Sequence, residues 1–533
     1  MRLKAILVVG LCALASSVAI AQTVAGRGGQ SAAGASVDDW LTYNRTLTGD
    51  RFSPLKEITS ANVSRLHELC TFDTGEKVSF EAGPIVVGGI LYVTTDTVTY
   101  AIDGATCATK WKQQHPHGAT ALQVSRGLAF DNGRLFRGAG NGHVMALDAS
   151  TGATAWDIEL SPLQPGATVP MAPVAWNGLV FVGNAGGDNF GVTGHVWALD
   201  QKDGHAVWRF DTVPESGAAR DTWHNAPGVP ATGGAFWTTF ALDPRAGVLY
   251  VPAGNPAPDF LPELRPGENL YTNSVIALDA KSGRLVSYIQ LVKHDFHDWD
   301  VSAGPAVVTT PAGKQLVASA NKDGLLSVVD RANGRMKLLF QTPTTTRENV
   351  DTPLSPDKDT HFCPGSQGGS EWNGPAYDRS VNTFFVNATD WCVTVRQARP
   401  ENMQVRAGGA WSGATQGFGA IDPIDKRQGW LTAIDADTGA VRWKYRSTMP
   451  MLAGVTPTAG GLVFSGELTG DAIALDAKSG QVLWKGATGN AIGGGVVTYR
   501  AGGKQLVAVV AGFRSRIWPA PGEFNRVVVF GLP

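Results

Sequence analysis

The chain has 533 residues, enough for several average domains, although a single all-β barrel or propeller can hold as many. Only 17% are charged, and 44 basic against 46 acidic residues leave a formal net charge of −2, so the bulk balance gives no basis for nucleic-acid binding or a polybasic membrane anchor. A 43% hydrophobic content excludes a disordered chain, while 65 glycines, 30 prolines and 16 tryptophans point to many short strands joined by tight turns.

At the N-terminus, Arg2 and Lys4 precede an almost uncharged run from Ala5 to Ala21 that closes on Ala19-Ile20-Ala21, a small-x-small cleavage site. Residues 1–21 read as a secretory signal peptide, 22–38 as a flexible lead and 39–533 as one mature domain. No later segment reaches the roughly 18 apolar residues that a membrane-spanning helix needs, so the mature chain is expected in an oxidising compartment without a membrane span. Cys12 leaves with the signal. Cys70, Cys107, Cys363 and Cys392 remain, and none lies in Cys-x-x-Cys-His, so no covalently held haem is expected.

Next in chain order comes one repeated phrase, ALD-x-x-[ST]-G-x-x-x-W, with copies ending at Trp111, Trp156, Trp208, Trp443 and Trp484 and two without the tryptophan, at Ser287 and Leu338. Each copy predicts a strand, a tight turn led by Asp with Gly where positive φ is needed, and a second strand. Segments such as GPIVVGGILYVTT ahead of Asp103 add two more strands per unit. The anchoring aspartates are Asp103, Asp148, Asp200, Asp279, Asp330, Asp435 and Asp476. The long gap between Asp330 and Asp435 is filled by AYDRSVNTFFVN at Asp378, which brings the count to eight. Units of this length and strand content predict an all-β fold, an eight-bladed propeller of four-stranded antiparallel blades, over a pair of β-sandwiches.

Polar chemistry gathers between the repeats. His294-Asp295-Phe296-His297-Asp298-Trp299-Asp300 crowds three carboxylates and two imidazoles into seven residues, a pattern for a metal site or general base as well as for a solvated acidic loop. The stretch from Ala253 to Tyr271, AGNPAPDFLPELRPGENLY, is too long and proline-rich for a routine hairpin.

These phrases, with WLTYNRTLTGDRFSPLKEITSANVSRLHELCTF, FEAGPIVVGGILYVT, SRGLAF, GAFWTTFALDPRAGVLYVPAGNPAP and ANKDGLLSVVDRANG, resemble the pyrroloquinoline quinone (PQQ)-dependent alcohol dehydrogenases from Asp39 almost to the C-terminus. The resemblance implies an eight-bladed propeller with PQQ near its axis and a metal ion, calcium ahead of a lanthanide. It implies Asn255 of GNPAP as an amide-oxygen ligand suited to a hard cation. It implies Asp298 as the base that takes the substrate hydroxyl proton and borders the metal, with Asp300 as the base in a rival alignment. Asp300 otherwise matches the position where some lanthanide-using relatives carry a further carboxylate. In Gly183-Asn184-Ala185-Gly186-Gly187-Asp188-Asn189 the family's glutamate ligand is missing, and Asp188 or, counted from the other side, Asn189 takes its place.

For the cofactor, the resemblance implies Lys322 on the quinone oxygens, Arg126 on its carboxylates, Glu81 as a polar contact, Trp237 under the ring plane, and Trp372 and Asn373 nearby, although Glu371 departs from the family pattern. Cys363 and Cys392 match a structural disulfide. Cys70 and Cys107 are free to pair with each other, with connectivity open. The vicinal cysteine pair of many relatives is absent, and His297 stands where they carry tryptophan. Implied partners are a small alcohol substrate and a separate acceptor, a soluble cytochrome c, in the periplasm. A non-catalytic propeller used as a binding or assembly scaffold is the competing class; it needs the repeats but not Asn255, Asp298, Lys322 and Arg126 together.

Overall fold

The computed structural model describes residues 36–533 except 121, 516, 519, 521 and 523; the expected signal peptide and nearly all of the lead lie outside the described residues. Among the described residues, eight four-stranded antiparallel sheets form. The first holds Ile85–Val87, Ile90–Thr94, Val98–Asp103 and Thr109–Gln114, and the second Ala129–Asp131, Arg134–Gly138, His143–Asp148 and Thr154–Glu159. The third begins at Val174–Trp176, the fourth at Ala241–Asp243, the fifth at Ala306–Thr309, the sixth at Ala376–Asp378 and the seventh at Thr456–Pro457. The eighth joins both ends of the domain: Val496–Ala501, Lys504–Ala511 and Arg526–Gly531 are completed by His67–Asp73, whose His67 lies opposite Gly531. The helical segments are three-residue 3-10 turns, and no helix is long and apolar enough to cross a membrane.

Burial separates the inner strands of a sheet from its outermost one. In Val98–Asp103 five of six residues are buried, because both faces of the sheet are covered, whereas the outermost strand Thr109–Gln114 has no buried residue and alternates toward solvent. Each sheet packs on the next. Tyr92 and Met145 join the first to the second, Phe136, Val182 and Ile276 run through the second to the fourth, and Tyr250 and Val317 join the fourth to the fifth. Val328 and Phe384, Phe385 and Ile473, and Phe464 and Val507 continue the series to the eighth sheet, and Val93 and Val529 pack the eighth against the first.

The repeated phrase is an instruction for that packing. Its tryptophan reaches the following sheet and donates its indole N–H to the carbonyl just after that sheet's aspartate: Trp111 to Ala149 (3.0 Å), Trp156 to Gln201 (2.9 Å), Trp208 to Ala280 (3.1 Å) and Trp443 to Ala477 (3.1 Å). The motif glycine is needed twice over. Gly152 has φ +76°, and a Cβ there would lie 2.7 Å from the Trp111 ring. In the first copy Cys107 takes this left-handed position (φ +60°) and is tied to Cys70 by a disulfide.

One expectation is met differently. Asp378 does not open a separate unit: Ala376–Asp378 is the first strand of the sheet whose third strand, Gln428–Asp435, ends at Asp435. Asp378 Oδ1 accepts the Ser380 N–H (2.8 Å), the same turn chemistry as the repeat, so local sequence cannot distinguish a first hairpin from a last one. The long gap is an insertion carrying a small sheet of Thr360–Phe362, Val393–Val395 and Ala420–Ile421, stapled by Cys363–Cys392. That disulfide contributes about 3–4 kcal/mol by restricting the unfolded chain.

Replacing Trp156, which is 9% exposed, tests the docking role. Trp156→Ala is expected to cost about 3–5 kcal/mol in urea unfolding, and Trp156→Phe, which loses mainly the hydrogen bond to Gln201, about 1 kcal/mol.

Candidate active site and metal centre

The expected site residues occupy two kinds of connection. Glu81, Arg126, Trp237, Asp298 and Asp300, and Trp372 and Asn373 lie just before the first strand of a sheet, whereas Asp188, Asn255 and Lys322 follow a second strand. In an antiparallel pair the start of one strand lies beside the end of the next, as Ala241 beside Tyr250 shows. Both kinds of connection therefore emerge at one end of the sheets. The aspartate turns of the repeat emerge at the other.

An acidic cluster forms at this end. Asp188, Asp259 and Asp298 offer carboxylate oxygens that all lie within 4.8 Å of one another. The Asn255 amide donates to Asp259 Oδ1 (2.9 Å), and the Asn255 N–H donates to Asp300 Oδ1 (2.9 Å). A Cβ at position 254 would lie 2.5 Å from that same oxygen, so Gly254 is what admits Asp300. Lys322 Nζ lies 2.9 Å from Asp300 Oδ2 and 3.3 Å from Asp298 Oδ2. Asp298 Oδ1, buried like the rest of the residue, has no hydrogen-bond partner.

Two buried groups hold this geometry. Asp295 accepts the backbone N–H groups of His297 (3.1 Å) and Trp299 (3.0 Å), bracketing Asp298, whose φ of +64° is unusual for a residue other than glycine. Arg265, fully buried, donates to the carbonyls of Pro258 (2.9 Å), Asp259 (3.0 Å) and Asp295 (2.7 Å), pinning the proline-rich loop to the acidic segment.

Crowding and burial dominate the electrostatics. Burial, reinforced by Asp300 and opposed by Lys322 and the Asn255 amide, pushes Asp188 up to about 6. Burial and then the neighbouring carboxylates hold Asp259 well above the usual carboxylate range; for Asp298 burial again leads, with Lys322 only partly offsetting it. Burial works against the Lys322 charge, but Asp298 and Asp300 outweigh it and hold the ammonium well above the usual lysine range. Burial pushes Glu371 up to about 7.

Beside this cluster lies a flat platform. Trp237 is partly buried, with the Arg126 guanidinium 4.8 Å and Lys322 Nζ 5.6 Å from its ring centroid. Arg126 also lies 5.4 Å from the Trp372 ring, donates to the Trp237 carbonyl (3.0 Å) and pairs with Glu81 (2.8 Å). Trp372 donates its indole N–H to Gly493 (2.9 Å). Asn373 spends its amide on the scaffold, donating to Leu452 (2.8 Å) and accepting from Tyr43 (2.9 Å).

Asp188, Asn255, Asp298 and Asp300 are thus brought together, whereas Asn189 turns away and donates to the Gly166 carbonyl (3.0 Å). His297 stacks on Trp299, with ring centroids 3.8 Å apart and 10° between planes. Asp259, Arg265 and Asp295 were not among the expected site residues. The signal for Asp259 was its place four residues after Asn255 in the same proline-rich loop.

A metal ion and PQQ fit what is present. The donor set is all oxygen, as hard cations require. Orphaned oxygens on Asp259 and Asp298 have no protein partner, and one lysine cannot balance the surrounding carboxylates. The cations over Trp237 suit an anionic planar cofactor.

The comparisons with known proteins agree with this arrangement. Residues 40–342 match the PQQ family model described as the β-propeller domain of glucose, ethanol and alcohol dehydrogenases. Residues 427–522 match a second model, that of the outer membrane protein assembly factor BamB, and this stretch holds none of the site residues named above. The quinoprotein alcohol dehydrogenase PedH of Pseudomonas putida is 29% identical over 92% of this chain and 88% of its own length. Subunit 1 of the methanol dehydrogenase [cytochrome c] of Paracoccus denitrificans is 28% identical over 91% of this chain and 84% of its own. Among solved structures, the quinohemoprotein alcohol dehydrogenase of Comamonas testosteroni superposes with a TM-score of 0.84 at 25% identity, covering 93% of this chain and 81% of that one. A europium-containing methanol dehydrogenase superposes with a TM-score of 0.82 at 26% identity, covering 93% of this chain and 98% of that one. With more than half its length matched by that model and a TM-score above 0.8 to such enzymes, the chain belongs to the PQQ-dependent quinoprotein alcohol dehydrogenase family.

Proposed function

We propose that this chain is a periplasmic dehydrogenase that oxidises an alcohol, or the hydroxyl of a polyol or sugar, with PQQ and one bound cation, and passes the electrons to a separate soluble cytochrome c. In this reading residues 1–21 are removed on export and the eight sheets close into an eight-bladed ring around the site. The single observation that carries it is Lys322, which touches both halves: its ammonium contacts Asp298 and Asp300 and lies over the Trp237 ring.

When bound, PQQ supplies a two-electron acceptor and the cation a Lewis acid. The chain's own residues do the rest. Asp188, Asp259 and the Asn255 amide are placed to hold the cation, with Asp298 at its border. Trp237 would support the cofactor plane, and Arg126, oriented by Glu81 and the Trp237 carbonyl, would hold its carboxylates. Asp298 is the general base: its Oδ1 is unpartnered and takes the substrate hydroxyl proton, while its Oδ2 stays on Lys322. Asp300, with one oxygen on Lys322 and the other on the Asn255 N–H, positions these groups. Asp188 is preferred over Asn189 as ligand because its carboxylate lies within 4.8 Å of the Asp259 and Asp298 oxygens, whereas the Asn189 side chain is anchored on the Gly166 carbonyl.

Reconstitution of the processed chain with PQQ and either Ca²⁺ or La³⁺ should give dye reduction with at least one member of a panel of primary and secondary alcohols. Asp298→Asn should lower kcat by about 10²–10⁴-fold while bound PQQ, followed by its absorbance, stays unchanged. Absence of turnover with every ion, or loss of PQQ binding together with activity in Asp298→Asn, would contradict the assignment.

Removing the cation exposes the cost of the cluster. Asp188 and Glu371 rise from 3.8 and 4.5 to about 6 and about 7 in the folded chain. Between about pH 4 and 7 the folded metal-free chain therefore binds more protons than the unfolded chain, and these groups withdraw stability as pH rises. A bound cation favours their ionised forms. The increase in Tm on adding the cation to chelator-treated protein should therefore grow from pH 4 to pH 7; an increase that is flat or shrinks over this range would contradict it.

A further inference from the structure

The acidic cluster contains one carboxylate that the family resemblance did not supply. Asp259 is fully buried, yet its Oδ2 has no hydrogen-bond partner, and it offers an oxygen within 4.8 Å of those of Asp188 and Asp298. Its orientation is fixed from two sides. The Asn255 amide holds Oδ1, and Arg265 holds the Pro258 and Asp259 carbonyls, so the side chain has no route to solvent or to an ammonium partner. Arg265 hydrogen-bonds Asp259 at the backbone carbonyl, and its charge, shared with Asp295, only partly offsets the Asp259 carboxylate.

Asp300, the residue expected to add a carboxylate to the metal, is engaged elsewhere. One of its oxygens accepts the Asn255 N–H and the other lies on Lys322, whose ammonium it shares with Asp298. Asp188, Asp259, Asp298 and Asp300 together bring four carboxylates, and Lys322, shared between Asp298 and Asp300, offsets one of them. A cation held there, as the proposed function requires, meets three negative charges. A divalent ion leaves one of them uncompensated in a buried site, where it is costly, and a trivalent ion leaves none. La³⁺ and Ca²⁺ are of similar size and both take oxygen ligands, so charge rather than cavity size decides between them.

We infer that Asp259 is a metal ligand and the residue that sets ion selectivity, converting the site to one for a trivalent, lanthanide-type cation, while Asp300 acts on Lys322 and the Asn255 backbone. This replaces calcium as the resident ion and moves the selecting charge from the acidic segment to the proline-rich loop.

The test uses the full processed chain loaded with PQQ and dialysed against equimolar La³⁺ and Ca²⁺, with both metals counted per chain by mass spectrometry. Wild type should retain La³⁺ over Ca²⁺ by at least about tenfold, or 1.4 kcal/mol. Asp259→Asn should move the ratio toward Ca²⁺ by about tenfold or more, Asp259→Glu should restore much of it, and Asp300→Asn should move it less than Asp259→Asn. If wild type does not prefer La³⁺, or if Asp259→Asn leaves the ratio unchanged, the inference is overturned while the quinoprotein reading stands. If wild type retains neither PQQ nor any ion, that reading falls with it. Should Asp259→Asn fail to fold, wild type alone decides: the ⁷F₀→⁵D₀ excitation line of bound Eu³⁺ follows the total anionic charge on the ion, and a position reporting fewer than two protein carboxylates overturns the assignment.

Discussion

Carboxylates taken out of water together repel one another, and nothing in a strand-rich scaffold relieves that repulsion by itself. Asp188, Asp259, Asp298, Asp300 and Glu371 gather at one end of the sheets with Lys322 as the ammonium among them. Folding brings them there because each sits in a connection whose flanking strands are locked by hydrophobic packing on both faces. The buried valine, leucine and phenylalanine of these strands supply the favourable free energy against which the cluster is assembled. The scaffold can thus hold a site that is unfavourable until a cation completes it.

The order of the chain divides labour between the two ends of each sheet. At one end an aspartate turn, a glycine and a tryptophan dock each unit on the next. At the other, connections of irregular length carry the chemistry. Arg265 then locks the two acidic connections to one another through backbone carbonyls, and Asp295 braces its own connection through backbone N–H groups. Side chains that bind backbone in this way fix position without adding to the charge presented to the site. That leaves Asp298 with one oxygen on Lys322 and one free.

Much of the fold was legible because its determinants are local and repeated. The tryptophan must reach a carbonyl one unit on, and the glycine must admit the ring, so both recur at fixed spacing. Asp378 was misread for the same reason: its turn chemistry is that of the repeat, and only strand pairing shows which hairpin it closes. The eighth sheet was hidden because one of its strands, His67–Asp73, comes from the opposite end of the domain. In the site, Asp298, Asn255, Lys322 and Arg126 were found through whole phrases. Asp259 was missed because nothing in its own sequence context distinguishes a solvated loop aspartate from a buried one; that difference is made by Arg265 and Asn255 after folding. The choice between Asp188 and Asn189 likewise depended on where Gly166 lies.

All of these features converge on one claim, that the buried carboxylates beside Trp237 hold a cation. The most direct measurement is an anomalous-difference map from crystals of the PQQ-loaded chain grown with Eu³⁺. The account predicts one strong peak per chain at about 2.3–2.6 Å from oxygens of Asp188, Asp259 and Asn255, on the Trp237 side of the cluster. A map with no peak there, or with europium only on exposed carboxylates at the surface, would contradict it.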